Sequence, residues 1–140
     1  MTQGRKVLWA AGVFGVLWVM ASGARVDAAG IVPKYRLDQS SQLCRDLTFS
    51  NSSWASEGSA LFQKSCKSCH YRGNTKGVRS LHSESFTPKA WSRVFFEKYP
   101  KCAQDGSWAK LSSEDLMKVN DYLFRNAYGT WDPNSDESCG

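Results

Sequence analysis

Two cysteines and a histidine stand in a run whose spacing suits one particular chemistry, Cys66-Lys67-Ser68-Cys69-His70. Two thiols at this spacing can add to the two vinyl groups of one haem and form two thioether bonds. The next residue, His70, then lies under the iron as its proximal ligand. A redox dithiol would be expected near a βαβ pattern, and a zinc site would need two further ligands at matching spacing; the sequence shows neither. The run therefore predicts one covalent c-type haem, anchored by Cys66 and Cys69, with His70 on the iron.

Three segments carry helical signals that would position this run. Apolar residues recur three and four positions apart in each, as one face of a helix requires. The second segment has Thr87 as a plausible N-cap and Pro88 at the first helical position. The third opens with the capping-box pair Ser112 and Asp115, and Gly129 is placed to end it in the left-handed conformation. The predicted helices span about 54–66, 88–98 and 113–127.

The rest of the chain is polar and shows no convincing strand alternation, so an all-α fold is predicted. Residues 29–53 are interpreted as an irregular N-terminal extension, 54–128 as the folded domain and 129–140 as a C-terminal tail. Between the first two helices, residues 71–86 are rich in glycine, serine and charge. A long stretch without secondary structure usually has a function in a compact domain.

The N-terminal segment, 1–28, has the shape of a secretory signal peptide. Arg5 and Lys6 precede an apolar run over 7–21, and small residues follow up to Ala28. The apolar run is short for a membrane span, which needs about 20 residues. Export predicts a periplasmic protein, in a compartment where cysteines outside the motif can pair. An uncleaved N-terminal helix that tethers the protein to the membrane is the alternative.

Length and charge exclude several classes of protein. A chain of 140 residues allows one domain, and its hydrophobic fraction of 41% is ordinary for a globular protein. The net charge of +5 falls to +3 if the first 28 residues are removed. The basic residues are scattered, which argues against a nucleic-acid partner. With two histidines in the chain, a site that needs three imidazoles is excluded.

The sequence around the motif resembles the small monohaem cytochromes c of the all-helical, class I-like type. The run Gly-Ser-Ala-Leu-Phe-Gln-Lys-Ser-Cys at 58–66 is similar to the first helix of that family. The run Leu-Ser-Ser-Glu-Asp-Leu at 111–116 is similar to the start of its last helix. The resemblance covers roughly 54–127. It implies three to four helices around one covalent haem, with Gly58 at a close crossing of the first and last helices.

The same resemblance implies a function and a further site residue. Trp91, in the second helix, would lie against the haem macrocycle. The protein would carry single electrons between redox partners, such as other redox proteins or a membrane-bound respiratory complex, and would have no small-molecule substrate. Two alternatives stay open: a subunit of an enzyme that oxidises sulfur compounds through a cysteine thiolate ligand, and a haem sensor or respiratory subunit.

The distal ligand of the iron is where the sequence departs from the family. The family usually supplies a methionine from the loop before the last helix, and the corresponding loop, about 99–110, contains none. Met117 falls inside the last helix, where core packing is the better interpretation. His82, in a polar loop, is predicted to complete the iron coordination. Met117, Cys102 as a thiolate ligand, and a vacant iron are the alternatives.

Three cysteines lie outside the motif, and three basic residues follow it. Cys44, Cys102 and Cys139 allow one disulfide and leave one thiol over, and the sequence does not select the pair. The basic residues either surround the exposed haem edge and steer an acidic redox partner or are solvated loop charges. They are Arg72, Lys76 and Arg79.

Overall fold

A β-hairpin precedes a series of helices in the computed structural model, which describes residues 32–129 and Cys139. In chain order the elements are β1 Tyr35–Asp38, β2 Leu43–Asp46, α1 Phe49–Ser52, α2 Glu57–Leu61, α3 Pro88–Glu97, α4 Lys101–Gln104 and α5 Ser113–Arg125. A π-helical turn, Phe62–Cys66, extends α2, and a 3-10 turn, Ser83–Ser85, precedes α3. No helix in the described part of the chain is long and apolar enough to cross a membrane. The predicted signal peptide and most of the predicted tail lie outside the described residues.

The hairpin corrects two predictions, the all-α fold and the irregular extension over 29–53. Strands β1 and β2 pair antiparallel, with Asp38 opposite Leu43. Arg36 and Asp38 of β1 are buried, whereas Tyr35 is exposed. Along β1 the apolar Tyr35 and Leu37 alternate with charged residues, but the pattern is four residues long and the charged side chains are the ones that face inward. It therefore lacks the longer, apolar-inward alternation by which a strand is recognised in a sequence. The fold is therefore mostly helical, with a two-stranded sheet added to it.

The first predicted helix starts later than expected. It begins at Glu57 instead of residue 54, because Ser56 is the N-cap and its Oγ accepts a hydrogen bond from the Ser59 N–H at 3.3 Å. Trp54, the first residue of the predicted span, is 75% exposed and precedes the helix. A side chain that satisfies a free N–H at the helix terminus thus fixes the boundary more strongly than the apolar spacing does.

The other two predicted helices are confirmed as α3 and α5. Thr87 caps α3 and accepts from the Ala90 N–H, and Ser112 and Asp115 form the expected capping box of α5. Gly129 has the predicted positive φ, but α5 already ends at Arg125. The short helix α4 was not predicted.

Helices α2 and α5 cross so closely that glycine is required at the contact. A Cβ atom on Gly58 would overlap the backbone carbonyl of Lys118. Next to this contact the rings of Phe62 and Tyr122 pack with their centroids 5.8 Å apart. The close crossing that the family resemblance implied is therefore confirmed. The buried apolar core consists of Phe62, Trp91, Val94, Phe95, Val119, Tyr122 and Leu123.

Buried ion pairs fasten the hairpin to α5. The fully buried Arg36 donates to Asp121 at 2.6 Å and to Asp38 at 3.0 Å. Arg45 of β2 donates to the second carboxylate oxygen of Asp121 at 2.7 Å. Burial raises the pKa of Asp121, and the charges and hydrogen bonds of the two guanidinium groups oppose that shift. One carboxylate on α5 thus joins both strands of the hairpin to the helical domain.

A disulfide settles the pairing that the sequence left open. Cys44 in β2 is bonded to Cys139, with the two Cα atoms 5.8 Å apart. Cys66, Cys69 and Cys102 are free thiols. The bond spans 95 positions of sequence, so in the chain-entropy view it removes much conformational freedom from the unfolded chain.

We expect Asp121→Asn to lower the free energy of unfolding by about 3–5 kcal/mol, because it removes one partner of a buried pair and leaves Arg36 poorly compensated. A urea titration followed by circular dichroism measures this. The matched control is Glu114→Gln, since Glu114 also pairs with Arg45 but is about half exposed. Its loss should cost less than about 1 kcal/mol. Equal losses in the two variants would contradict a dominant role for the buried pair.

Candidate functional site

A cleft of about 280 Å³ opens between the end of α2, helix α3 and the segment that leads into α5. Its walls are mainly apolar and aromatic, which is the usual character of a pocket that binds a large organic ligand. The lining includes Phe62, Cys66, Cys69, His70, Arg79, Leu81, Phe86, Trp91, Val94, Phe95, Tyr99, Cys102, Trp108, Leu111 and Leu123.

The three residues of the sequence motif share one wall of this cleft. Cys66 is the last residue of the π-helical turn, so the helix delivers it directly to the cleft. The N–H groups of Cys69 and His70 both donate to the Cys66 carbonyl, at 3.2 and 2.9 Å. This tight turn is what brings the second thiol and the imidazole beside the first thiol.

A backbone carbonyl orients the imidazole of His70. The Nδ1 atom lies 2.7 Å from the carbonyl oxygen of Arg79. Because a carbonyl can only accept, Nδ1 carries the proton, and in the neutral imidazole Nε2 then has a lone pair for a metal. A metal-ligating histidine has its second nitrogen fixed in this manner, which sets both the tautomer and the ring orientation.

The long loop after the motif places that carbonyl. Asn74 closes the loop through its side chain, which donates to Tyr71 and Val78 carbonyls at 2.9 and 2.8 Å. At the end of the loop the Leu81 N–H donates a hydrogen bond to the His70 carbonyl at 3.0 Å, and Lys67 Nζ donates to the Leu81 carbonyl at 2.8 Å. Residues 71–86, for which the sequence predicted a function but not which one, therefore form the loop that holds the Arg79 carbonyl against His70.

The two motif thiols lie in different electrostatic environments. Burial, with smaller contributions from neighbouring thiols, raises the pKa of Cys66 to about 12. A hydrogen bond from Lys76 Nζ, 3.2 Å from the sulfur, lowers the pKa of Cys69. Since the thiolate is the reactive form of cysteine, Cys69 is the more readily activated of the two.

Trp91, which the family resemblance places against the haem, lines the cleft. It is 3% exposed, and its Nε1–H donates to the Ser83 carbonyl at 2.6 Å. The Phe86 ring meets it edge to face at a centroid distance of 4.8 Å. The indole is thus held in place by one hydrogen bond and one aromatic contact.

Other aromatic residues of the cleft were not singled out by the sequence. Phe95 and Trp108 stack with their centroids 5.2 Å apart, and both line the cleft. Residue type alone does not separate these residues from Trp54, which is exposed. The Arg79 carbonyl was missed as well, because a backbone acceptor leaves no signal in the residue types.

The structure places the three candidate distal ligands differently. His82 is exposed and does not line the cleft; its backbone N–H donates to Ser85 Oγ at 2.8 Å. The structure therefore does not bring the predicted ligand His82 to the site; it places His82 at the N-cap of the 3-10 turn Ser83–Ser85. Met117 is also outside the lining, with its sulfur 3.7 Å from Arg45 Nη1. Cys102 does line the cleft.

The residues of the cleft fit a covalently attached haem. Two thiols and an imidazole with a free Nε2 lie on one wall, and the remaining surface is largely apolar. The thiols suit thioether bonds, the imidazole suits iron, and the aromatic walls suit the faces of a flat macrocycle.

Comparison with known proteins identifies the same part of the chain. A family model described as cytochrome C oxidase, cbb3-type, subunit III matches residues 54–123. This stretch is half of the chain and contains the motif, Trp91 and Cys102. No curated protein and no solved structure matches the chain.

We expect Trp91→Phe to lower the free energy of unfolding by about 1–3 kcal/mol, because it leaves the Ser83 carbonyl without its buried donor. Denaturant titration of the purified protein measures this. Trp54→Phe is the matched control, and because Trp54 is 75% exposed its change should stay within about 0.5 kcal/mol. A comparable loss in both variants would show that the hydrogen bond of Trp91 does not stabilise the cleft.

Proposed function

Because the chain belongs to the cytochrome c family described as cytochrome C oxidase, cbb3-type, subunit III, we propose that it is a one-electron carrier with a single covalently bound haem c. One observation carries the proposal. Cys66, Cys69 and His70 lie on one wall of an apolar cleft, with His70 Nδ1 already held by the Arg79 carbonyl at 2.7 Å.

Each residue of the cleft has a defined part in this function. When bound, the haem supplies an iron that exchanges one electron. Cys66 and Cys69 anchor the macrocycle, and His70 presents Nε2 to the metal. Trp91 and the other aromatic side chains exclude water. A dry environment and fixed hydrogen bonds are the means by which a protein tunes the potential of such a centre.

We also propose that the protein is exported and works in the periplasm. The basic start, the apolar run over 7–21 and the small residues before position 29 support a cleaved signal peptide. The Cys44–Cys139 disulfide supports an oxidising compartment. An export route also suits covalent attachment, since a thioether-bound cofactor is not lost by dissociation.

The proposed partner is a redox protein, alone or within a respiratory complex, that presents an acidic surface. Arg79 lines the cleft, and Lys76 Nζ lies 3.2 Å from the sulfur of Cys69. Both residues are exposed. Positive charge at the entrance to the cleft attracts an acidic partner toward the edge where the electron leaves.

We expect the mature protein to show a c-type α band on reduction and a mass increased by one haem. Acidified solvent should extract haem from the double variant Cys66→Ser/Cys69→Ser and leave it bound in the unchanged protein. The single variant Cys102→Ser is the control, because it leaves both anchors intact and should retain covalent haem. A mature mass without added haem would contradict the proposed function.

We expect Lys76→Glu to slow oxidation of the reduced protein by ferricyanide, a small anionic oxidant, by roughly 2- to 10-fold at low ionic strength, because charge attraction accelerates the encounter. Stopped-flow spectroscopy measures the rate. The difference should disappear at high salt, where the charges are screened. Lys34→Glu is the control, since Lys34 is an exposed lysine beside the hairpin, where its carbonyl accepts from the Leu47 N–H, whereas Lys76 Nζ contacts the sulfur of Cys69. Equal slowing in both variants would indicate an effect of net charge and not of the cleft entrance.

A further inference from the structure

The lining of the cleft limits which side chain can reach the second axial position of an iron held by His70. Cys66 and Cys69 are used for attachment, and Arg79 has no lone pair to offer. The remaining donors in the lining are the sulfur of Cys102 and hydroxyl oxygens, of which Tyr99 carries the largest side chain. Of these groups, the sulfur of Cys102 is the strong ligand for iron.

We propose that Cys102 Sγ is the distal axial ligand of the haem iron and binds the oxidised iron as a thiolate. The inference rests on the proposed function, since it needs the haem that Cys66, Cys69 and His70 are proposed to hold. It differs from the ligand expected from the sequence, His82, which the structure leaves exposed and outside the cleft.

The position of Cys102 in the chain supports this assignment. It lies in α4, in a different segment of the chain from the motif, and lines the same cleft. Pro100 before it and Trp108 after it also line the cleft, so the backbone on both sides of Cys102 follows the cleft. This segment directly precedes α5.

The disulfide gives independent support to the assignment of Cys102 as the ligand. Cys44 and Cys139 are bonded to each other, so neither competes for the thiol of Cys102. Cys102 is a free, half-buried thiol within an apolar cleft. Trp108, which also lines the cleft, hydrogen-bonds the thiol, so the sulfur already lies among the residues that would surround the haem.

The positive charge of the oxidised haem favours an iron–sulfur bond to Cys102. The thiol gives up its proton to solvent when sulfur binds the metal, because a coordinating thiol is deprotonated outright. The buried negative charge on sulfur is then balanced by the positive oxidised centre. Since this balance is better in the oxidised state than in the reduced state, the thiolate lowers the potential relative to a histidine–methionine centre.

The test is paramagnetic resonance and near-infrared magnetic circular dichroism of the oxidised holoprotein. We expect a low-spin histidine–thiolate spectrum in the unchanged protein, and loss of that low-spin signal in Cys102→Ala. His82→Ala is the matched control and should leave the spectrum unchanged. Cys102→Met fills the same space and should convert the spectrum to the histidine–methionine type and shift the potential upward.

The opposite results overturn the inference. Loss of the low-spin signal in His82→Ala, with Cys102→Ala unchanged, would assign the ligand to His82. A histidine–methionine spectrum in the unchanged protein, or a high-spin one that binds carbon monoxide, would also exclude Cys102. Mass spectrometry of each variant shows whether one haem is attached, so that absence of haem, which contradicts the proposed function, is distinguished from a different distal ligand.

Discussion

The close crossing of α2 and α5 at Gly58 is the contact on which the rest of the structure depends. A side chain there would strike the Lys118 carbonyl, so the two backbones approach as nearly as glycine allows. Helix α2 continues without a break through the π-helical turn to Cys66. The distance between the two helices therefore also sets where the first thiol of the motif lies. Because Phe62 fills the contact on one side and lines the cleft on the other, core packing and cofactor binding share one side chain.

Helix α5 separates two chemically different regions of the molecule. Asp121 faces the hairpin and binds two arginines, whereas Leu123 lines the cleft. Two positions along an α-helix turn the side chain by about 200°, so these residues point in nearly opposite directions. The charged contacts are thereby kept away from the apolar cleft. A buried ion pair is weak evidence for stability as such, but here it fixes where an otherwise polar hairpin attaches.

The sequence predicted those features that side-chain chemistry encodes directly. The caps Thr87 and Ser112 each mark a helix start through one hydroxyl, and both predictions are confirmed. The hairpin escaped prediction because Arg36 is an inward-facing residue whose partner, Asp121, lies 85 positions away. No local pattern reports such a pair. Similarly, His82 looked like a ligand because of its residue type, and only the path of the chain shows that it is exposed.

The distribution of the five cysteines follows from this separation of regions. The ion pairs hold β2, and with it Cys44, on the hairpin side of α5, where Cys44 bonds Cys139. The three thiols that remain all line the cleft on the other side. Since disulfide exchange requires a thiolate to reach a sulfur atom, a disulfide held on the far side of a packed helix is protected from the reactive thiols of the cleft. The charged hairpin thus stabilises the fold and also keeps the structural pair of cysteines apart from those available for chemistry.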